Sequence, residues 1–164
     1  MPLIGLLSDT HGSMHTSIPG FFSECDEIWH AGDIGNLATA EALQKLKPLR
    51  AVHGNIDGQE LRLLYPAQLR FTIDGVSVFM IHIGGYPGRY EKQVREILAL
   101  ERPRLFISGH SHILKVINDE RFGLLHINPG AAGNSGMHQV ITAMRFKIDQ
   151  GKISDLDILE IKRG

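Results

Sequence analysis

The apolar positions of this chain fall into short runs, and each run ends abruptly at a polar cluster that contains glycine. Short apolar runs bounded in this way are typical of strands buried within a sheet. The pattern predicts such strands at Leu3 to Ser8, Glu27 to Ala31, Leu49 to His53 and Leu105 to Ser108.

Two other segments carry apolar residues at the spacing of a helix face. The first runs from Leu37 to Leu46, follows Asn36 as a helix-capping residue, and is closed by Pro48. The second runs from Tyr90 to Leu100 and is stopped by Pro103. The alternation of strands with helices predicts a protein of the α/β class.

The rest of the chain is typical of strands joined by turns. Leu69 to Asp74 and Val76 to His82 are predicted to form a hairpin across Asp74-Gly75. Further strands, mainly antiparallel, are predicted at Leu114 to Asn118, Phe122 to Ile127, Gln139 to Ile148 and Ile153 to Ile161. We therefore expect one domain over residues 1–164, with two packed mixed β-sheets flanked by helices.

Composition narrows the class of protein. The chain has 43% apolar and 21% charged residues, as globular proteins do, and its net charge of −1 gives no strong nucleic-acid signal. No apolar run is long enough to span a membrane, and the first residues lack the basic segment of a signal peptide. The one cysteine, Cys25, excludes an intrachain disulfide, and we expect a cytoplasmic protein. A homo-oligomer is left open.

The nine histidines stand out, because imidazole is the commonest metal ligand in proteins. Four of them lie with carboxylates and an amide in the polar clusters after predicted strands, which are Asp9-Thr10-His11-Gly12, Gly32-Asp33, Gly54-Asn55, His82 and Gly109-His110-Ser111-His112. We expect these clusters to converge, since ligands of α/β sheets bind outside the carboxyl ends of the strands. Oxygen and nitrogen donors without a thiolate favour Mn²⁺, Zn²⁺ or iron, and seven donors suit two ions better than one.

The motifs Asp-Thr-His-Gly, His-Ala-Gly-Asp, Gly-Asn-Ile-Asp and Gly-His-Ser-His, in this order, resemble those of the calcineurin-like metallophosphoesterases. The short chain and its Asn128-Pro129-Gly130 motif further resemble the small YfcE-like phosphodiesterase branch. The resemblance extends from Asp9 to Gly130 and implies the sandwich fold of that superfamily. It also implies hydrolysis of a small-molecule or nucleotide phosphodiester by a hydroxide held at a dinuclear metal centre.

The resemblance further implies a role for each clustered side chain. One metal ion would be held by Asp9, His11 and His112, and a second by Asn55, His82 and His110, with Asp33 bridging the two. Asp33, Asn55 and His110 are accordingly the expected catalytic residues. The expected ions are two Mn²⁺, with Zn²⁺, Fe²⁺ and Ni²⁺ as alternatives. Two divalent ions bring more positive charge than the aspartates neutralise, so the centre would attract a phosphate ester.

The chain departs from the family pattern directly after Asn55. Ile56 stands where many larger relatives carry a histidine that helps the leaving group depart, so the proton donor is unassigned. His30 and His53 lie near the ends of the ligand-bearing strands and are candidates for it. A packing or ligand-supporting role is favoured for both histidines.

A second departure follows His82, where the small branch often continues with Gly-His and this chain has Ile83-Gly84-Gly85. Tyr86, Arg89 and Tyr90 come next and are candidate substrate-binding residues, because a guanidinium binds phosphate and aromatic rings stack on bases. The alternative, that Arg89 and Tyr90 only begin a solvated helix face, is equally open.

Two other functions are open at this point. A phosphomonoesterase would use the same site with different contacts in the outer pocket. A retromer subunit related to the same branch is a protein-binding scaffold, but it lacks some of the catalytic histidines, whereas every ligand position is filled here. Metal content and the turnover of a generic phosphodiester, beside a matching monoester, discriminate among the three.

Overall fold

The computed structural model describes residues 2–163 of the chain. In chain order its elements are β1 (Leu3–Leu7), α1 (Ile18–Phe21), β2 (Glu27–His30), α2 (Leu37–Leu46), β3 (Leu49–Ala51), α3 (Gln59–Leu64), β4 (Gln68–Ile73), β5 (Val76–Ile81), α4 (Lys92–Glu101), β6 (Leu105–Ile107), β7 (Leu114–Asp119), β8 (Leu124–Pro129), β9 (Val140–Asp149) and β10 (Lys152–Lys162). Among these helices, none is both long and apolar enough to cross a membrane.

The strands form two five-stranded mixed sheets, and this confirms the predicted fold class. The first sheet has the order β10-β9-β1-β2-β3, in which β1, β2 and β3 run parallel and β9 and β10 are antiparallel additions. The second sheet has the order β4-β5-β6-β8-β7, in which β5, β6 and β8 run parallel. In each sheet three neighbouring strands run parallel, so their carboxyl ends lie together at one edge.

Apolar side chains hold the two sheets face to face and hold helices on their outer faces. Trp29 of the first sheet and Met80 of the second lie in one buried cluster between the sheets. Leu43 of α2 packs in a second cluster on the outer face of the first sheet. Val94 and Leu98 of α4 pack in a third cluster on the outer face of the second sheet. This layering fixes the strand ends that carry the candidate ligands.

Helix α2 has the predicted bounds, and Asn36 caps it by accepting a hydrogen bond from the backbone N–H of Thr39 at 2.8 Å. The hairpin of β4 and β5 is also confirmed. Helix α4 begins at Lys92 instead of Tyr90, because Glu91 is extended, with a ψ of 144°, and its backbone N–H donates to the carbonyl of Gly84 at 3.1 Å. The short helices α1 and α3 were not predicted, since four and six residues are too few for a periodic pattern.

The second half of the chain is less antiparallel than its sequence suggests. Strand β6 is parallel to both of its neighbours, β5 and β8, because α4 crosses over between β5 and β6 and β7 folds back before β8. Strands β9 and β10 do not join the sheet that precedes them. They return to the first sheet, where β9 pairs with β1.

Candidate metal centre

The loops that follow β1, β2, β5 and β6 meet at one edge of the sandwich. Donor atoms of these loops form two groups, in each of which the atoms lie within 4.8 Å of one another. The first group contains Asp9, His11 and His112, and the second contains Asp33, His82 and His110. The convergence that the sequence predicts for the strand ends is therefore present in the fold.

Five of these side chains are carried by a left-handed backbone, with φ values of 54° at Asp9, 48° at His11, 57° at Asp33, 73° at His110 and 64° at His112. For residues other than glycine this conformation costs on the order of 1–3 kcal/mol, and it is concentrated at functional sites. Of the nine non-glycine residues with positive φ in the described part of the chain, these five belong to the motifs. The strain therefore supports a functional role for the cluster.

Asp9 is fully buried at the centre of the first group. Its Oδ1 lies 3.2 Å from Nε2 of His112 and 3.5 Å from Nε2 of His11. Its Oδ2 accepts hydrogen bonds from Oγ of Ser8 at 2.6 Å and from the backbone N–H of His110 at 3.1 Å. Burial alone would raise the pKa of Asp9, but the imidazole and hydroxyl partners outweigh it and lower the pKa to about 2. Asp9 is thus an anion whose Oδ1 faces the imidazoles.

Asp33 lies between the two groups. Its Oδ2 is 3.2 Å from Nε2 of His82 and 3.4 Å from Nε2 of His11, while its Oδ1 accepts a hydrogen bond from the backbone N–H of Ile56 at 3.1 Å. Burial raises the pKa of Asp33, but the contact with His82 is stronger and the net shift is downward. Asp33 Oδ2 therefore contacts one histidine of each donor group.

The hydrogen-bond partner of His82 determines which of its two ring nitrogens carries the proton. Nδ1 lies 2.8 Å from the carbonyl oxygen of Ala31, which can only accept, so Nδ1 carries the proton and neutral His82 has its lone pair on Nε2. That lone pair faces the carboxylate of Asp33, an arrangement that is favourable only when a proton or a metal ion lies between the two. Burial lowers the pKa of His82, but Asp33 and Asp9 outweigh burial and raise it, so a proton competes for the same position.

Within residues 2–163, three buried side-chain atoms at the centre lack hydrogen-bond partners. Among the described residues, Oδ1 of Asp9, Nε2 of His11 and Nε2 of His82 have no hydrogen-bond partner. Buried polar atoms without a partner are rare and costly in folded proteins. Because these three atoms point to a common space and are typical ligands of divalent transition metals, the residues fit the metal centre that the motifs imply.

Asn55 and His110 form the exposed side of the centre. Oδ1 of Asn55 lies 3.1 Å from Nδ1 of His110, and both residues are exposed. Close packing requires a glycine before Asn55, because a Cβ at Gly54 would collide with the carboxylate and the backbone nitrogen of Asp33. The loop of Asn55 therefore approaches the loop of Asp33 more closely than any side chain would allow.

Asp57 is a supporting residue to which the sequence analysis gave no role. Its carboxylate accepts hydrogen bonds from the backbone N–H groups of Gly54 at 2.8 Å, Gly35 at 2.9 Å and Ile34 at 3.2 Å. It thus fastens the loop after β3 to the loop after β2. Its place in the Gly-Asn-Ile-Asp motif could have indicated this role, because the carboxylate of an aspartate in a turn often accepts hydrogen bonds from nearby backbone N–H groups.

His30 is fully buried behind the centre and has a structural role. Its Nδ1 accepts a hydrogen bond from the backbone N–H of Gly32 at 3.0 Å, so Nε2 carries the proton and donates to Oγ1 of Thr10 at 2.9 Å. Oγ1 of Thr10 donates in turn to the carbonyl of Ile34 at 2.8 Å. Burial lowers the pKa of His30 to about 4, so the ring is neutral and cannot serve as a proton donor near neutral pH.

A pocket of about 300 Å³ lies beside His110, and its lining includes Tyr86, Arg89 and Lys115. Nζ of Lys115 lies 4.2 Å from the centre of the Tyr86 ring. Tyr90 does not reach this pocket: its side chain is buried, and its hydroxyl donates to the carboxylate of Asp119 at 2.6 Å. The structure therefore brings Tyr86 and Arg89 to the centre and keeps Tyr90 in the core, while Lys115 is a pocket residue that the sequence analysis missed.

A second pocket of about 300 Å³ lies next to Asn55 and His82, and its lining includes His53 and Arg62. His53 is partly buried, and its Nδ1 donates to the carbonyl of Tyr65 at 2.8 Å. Ile83 lines both pockets and separates them. The centre is therefore flanked by a pocket on each side of Ile83.

The fold is thus a sandwich of two mixed sheets that carries carboxylates and imidazoles at the carboxyl ends of its strands. The family model of the calcineurin-like phosphoesterase superfamily domain matches residues 3–151. A probable metallophosphoesterase of Methanothermobacter thermautotrophicus is 29% identical over 136 residues, which are 79% of this chain and 76% of that protein. This chain belongs to the calcineurin-like phosphoesterase superfamily.

Solved structures agree in fold. Wild-type Vps29 of Entamoeba histolytica, in a complex with Zn²⁺, has a TM-score of 0.76 at 14% identity, with 99% of each chain covered. A structure described as a novel archaeal phosphodiesterase has a TM-score of 0.71 at 20% identity, with 96% of this chain and 99% of that chain covered. The fold is thus shared by a phosphodiesterase and by proteins named for vacuolar protein sorting, so fold alone does not decide the activity.

Proposed function

We propose that this protein is a phosphodiesterase whose centre binds two divalent metal ions, Mn²⁺ in the first place and Zn²⁺, Fe²⁺ or Ni²⁺ as alternatives. The observation that carries the proposal is the pair of donor groups joined at Asp33, in which carboxylate oxygens and imidazole lone pairs face one another. In this proposal one ion is held by Asp9, His11 and His112, a second by Asn55, His82 and His110, and Asp33 contacts both.

When bound, the ions supply the positive charge that attracts a phosphate ester and the activation of water for its hydrolysis. The residues of the chain prepare the site for this charge. Asp9 and Asp33 are anionic, because their pKa values are lowered against the effect of burial. Asn55 and His110 are the exposed members, so together with Asp33 they are the proposed catalytic residues.

The two pockets favour a diester over a monoester. A phosphodiester carries an organic group on each side of its phosphorus, whereas a monoester carries one. The pocket with Tyr86 and Arg89 and the pocket with His53 both adjoin the centre, so each can receive one group. Small-molecule and nucleotide diesters are the proposed substrate class.

The test begins with protein stripped of metal by a chelator. We expect that added Mn²⁺ restores hydrolysis of bis(p-nitrophenyl) phosphate, with a higher kcat/KM than for p-nitrophenyl phosphate. Asp33→Asn should abolish this activity, because it removes the charge shared by both donor groups. Asp155→Asn is the matched control, since it makes the same change at an exposed carboxylate of β10.

Each alternative has its own outcome. A preference for the monoester would identify a phosphomonoesterase that uses the same site. Absence of both metal binding and turnover would favour the alternative of a protein-binding scaffold. Full activity of Asp33→Asn at saturating Mn²⁺ would contradict the proposed centre. The cytoplasmic location and a homo-oligomeric state stay predictions.

A further inference from the structure

His138 lies directly behind His112, on the side away from Asp9. The two rings meet edge to face, with 5.0 Å between their centres and an angle of 75° between their planes. Nδ1 of His138 is 3.1 Å from Nδ1 of His112. His138 belongs to the segment between β8 and β9, and it matches none of the metal-ligand motifs.

The direction of this hydrogen bond follows from the other nitrogen of His138. Nε2 of His138 lies 2.7 Å from the carbonyl oxygen of Gly133, which can only accept, so Nε2 carries the proton. Neutral His138 then has its lone pair on Nδ1. His112 must therefore donate from its own Nδ1, and its lone pair is left on Nε2.

That lone pair is on the atom that the proposed metal role requires. Nε2 of His112 lies 3.2 Å from Oδ1 of Asp9, within the first donor group. Had His138 donated to His112, the tautomer of His112 would place its proton where the metal ion has to bind. His138 thus selects the tautomer of His112 that can act as a ligand, as backbone carbonyls and carboxylates do for metal-bound histidines in general.

The segment that carries His138 is built to hold this contact. The backbone N–H of Gly133 donates to the carbonyl of Asp9 at 3.1 Å, and Nη1 of Arg163 donates to the carbonyl of His138 at 2.9 Å. Gly136 has a φ of 123°, and a Cβ there would lie 2.6 Å from Cε1 of His112. A larger residue would push the two imidazoles apart.

We propose that His138 is a positioning residue for the metal ion of Asp9, His11 and His112, acting through the tautomer and orientation of His112. This inference rests on the proposed metal centre. Its specific content is that loss of His138 weakens one of two metal-binding events and leaves the other unchanged. Residues that support a metal ligand in this way typically change metal affinity by about 10- to 100-fold.

The test is calorimetric titration of metal-free protein with Mn²⁺. In His138→Ala we expect one binding event to weaken about 10- to 100-fold, while the event at Asn55, His82 and His110 keeps its affinity. His138→Asn places an amide oxygen near the position of Nδ1, so it should restore much of the lost affinity. Gln139→Ala, at the exposed neighbouring residue, is the control and should bind as the unmodified protein does.

The outcomes separate this inference from the proposed function. Two unchanged affinities in His138→Ala would overturn the role of His138 and leave the metal centre intact. Equal weakening of both events would also overturn it, because a general structural role then explains the loss. Absence of any Mn²⁺ binding by the unmodified protein would instead overturn the proposed centre and, with it, the premise of the inference.

Discussion

His126 makes the folded protein sensitive to acid at a site away from the metal centre. The residue lies in β8, is fully buried, and stacks on Phe106 with 5.2 Å between the ring centres. Its Nδ1 donates to the carbonyl of Phe106 at 3.2 Å, and its buried Nε2 has no partner among the described residues. Burial lowers the pKa of His126 from 6.5 to about 4.

The direction of the pH effect on stability follows from the pKa of His126, which is 6.5 in the unfolded chain and about 4 in the folded protein. Between these two values the unfolded chain binds a proton at His126 and the folded protein does not, so acid favours unfolding. The stability that the neutral ring contributes is present above pH 6.5 and is lost as the pH falls toward about 4. Between about pH 7 and pH 5 this loss amounts to about 2 kcal/mol.

The assay is urea unfolding of chelator-treated protein at both pH values, which keeps bound metal out of the comparison. His126→Gln removes the titrating ring. When the pH is lowered from 7 to 5, the free energy of unfolding of this variant should therefore fall by about 2 kcal/mol less than that of the unmodified protein. With a urea dependence of about 2 kcal/mol/M, the difference in midpoint shift is about 1 M. His15→Gln, which removes a partly exposed imidazole, controls for the substitution itself.

Two results would refute this reasoning. One is an equal loss of stability on acidification in His126→Gln and in the unmodified protein. The other is an NMR titration of the folded protein in which the ring of His126 takes up its proton near pH 6.5. Either would mean that the folded protein accommodates a charged ring at this position, despite the burial that the structure shows.

Three further substitutions have defined outcomes. Gly54→Ala should weaken Mn²⁺ binding about tenfold or more in calorimetry, because the added methyl group displaces the carboxylate of Asp33. Tyr90→Phe should lower the free energy of unfolding by about 1–3 kcal/mol, since the buried Asp119 loses its donor, and kcat/KM should stay within about twofold. Lys115→Met should lower the preference for a diester with an anionic leaving group over its neutral counterpart by about two- to fivefold. A larger change in Tyr90→Phe kinetics, or an unchanged preference in Lys115→Met, would contradict the described pocket.

Much of the fold was predictable because its signals are local. Helix α2 has the predicted bounds because its apolar spacing, the capping residue Asn36 and the following Pro48 all act within a few residues. The hairpin of β4 and β5 likewise depends on one turn at Asp74-Gly75. The sequence could not show that β9 pairs with β1, because that contact joins residues more than a hundred positions apart and depends on how the two sheets pack.

The candidate site divides in the same way. Residue types and their order were enough to select the candidate metal ligands, because metal ligation demands particular donors and the strand ends of an α/β fold bring such donors together. The tertiary structure decided how those donors are held: it placed Asp33 between the two groups, set His30 in the core, and put His138 behind His112. It also turned Tyr90 inward, although Tyr90 and Tyr86 are four residues apart in one short segment. Such choices depend on burial and on hydrogen-bond direction between segments distant in sequence, and those quantities exist only once the sheets have packed.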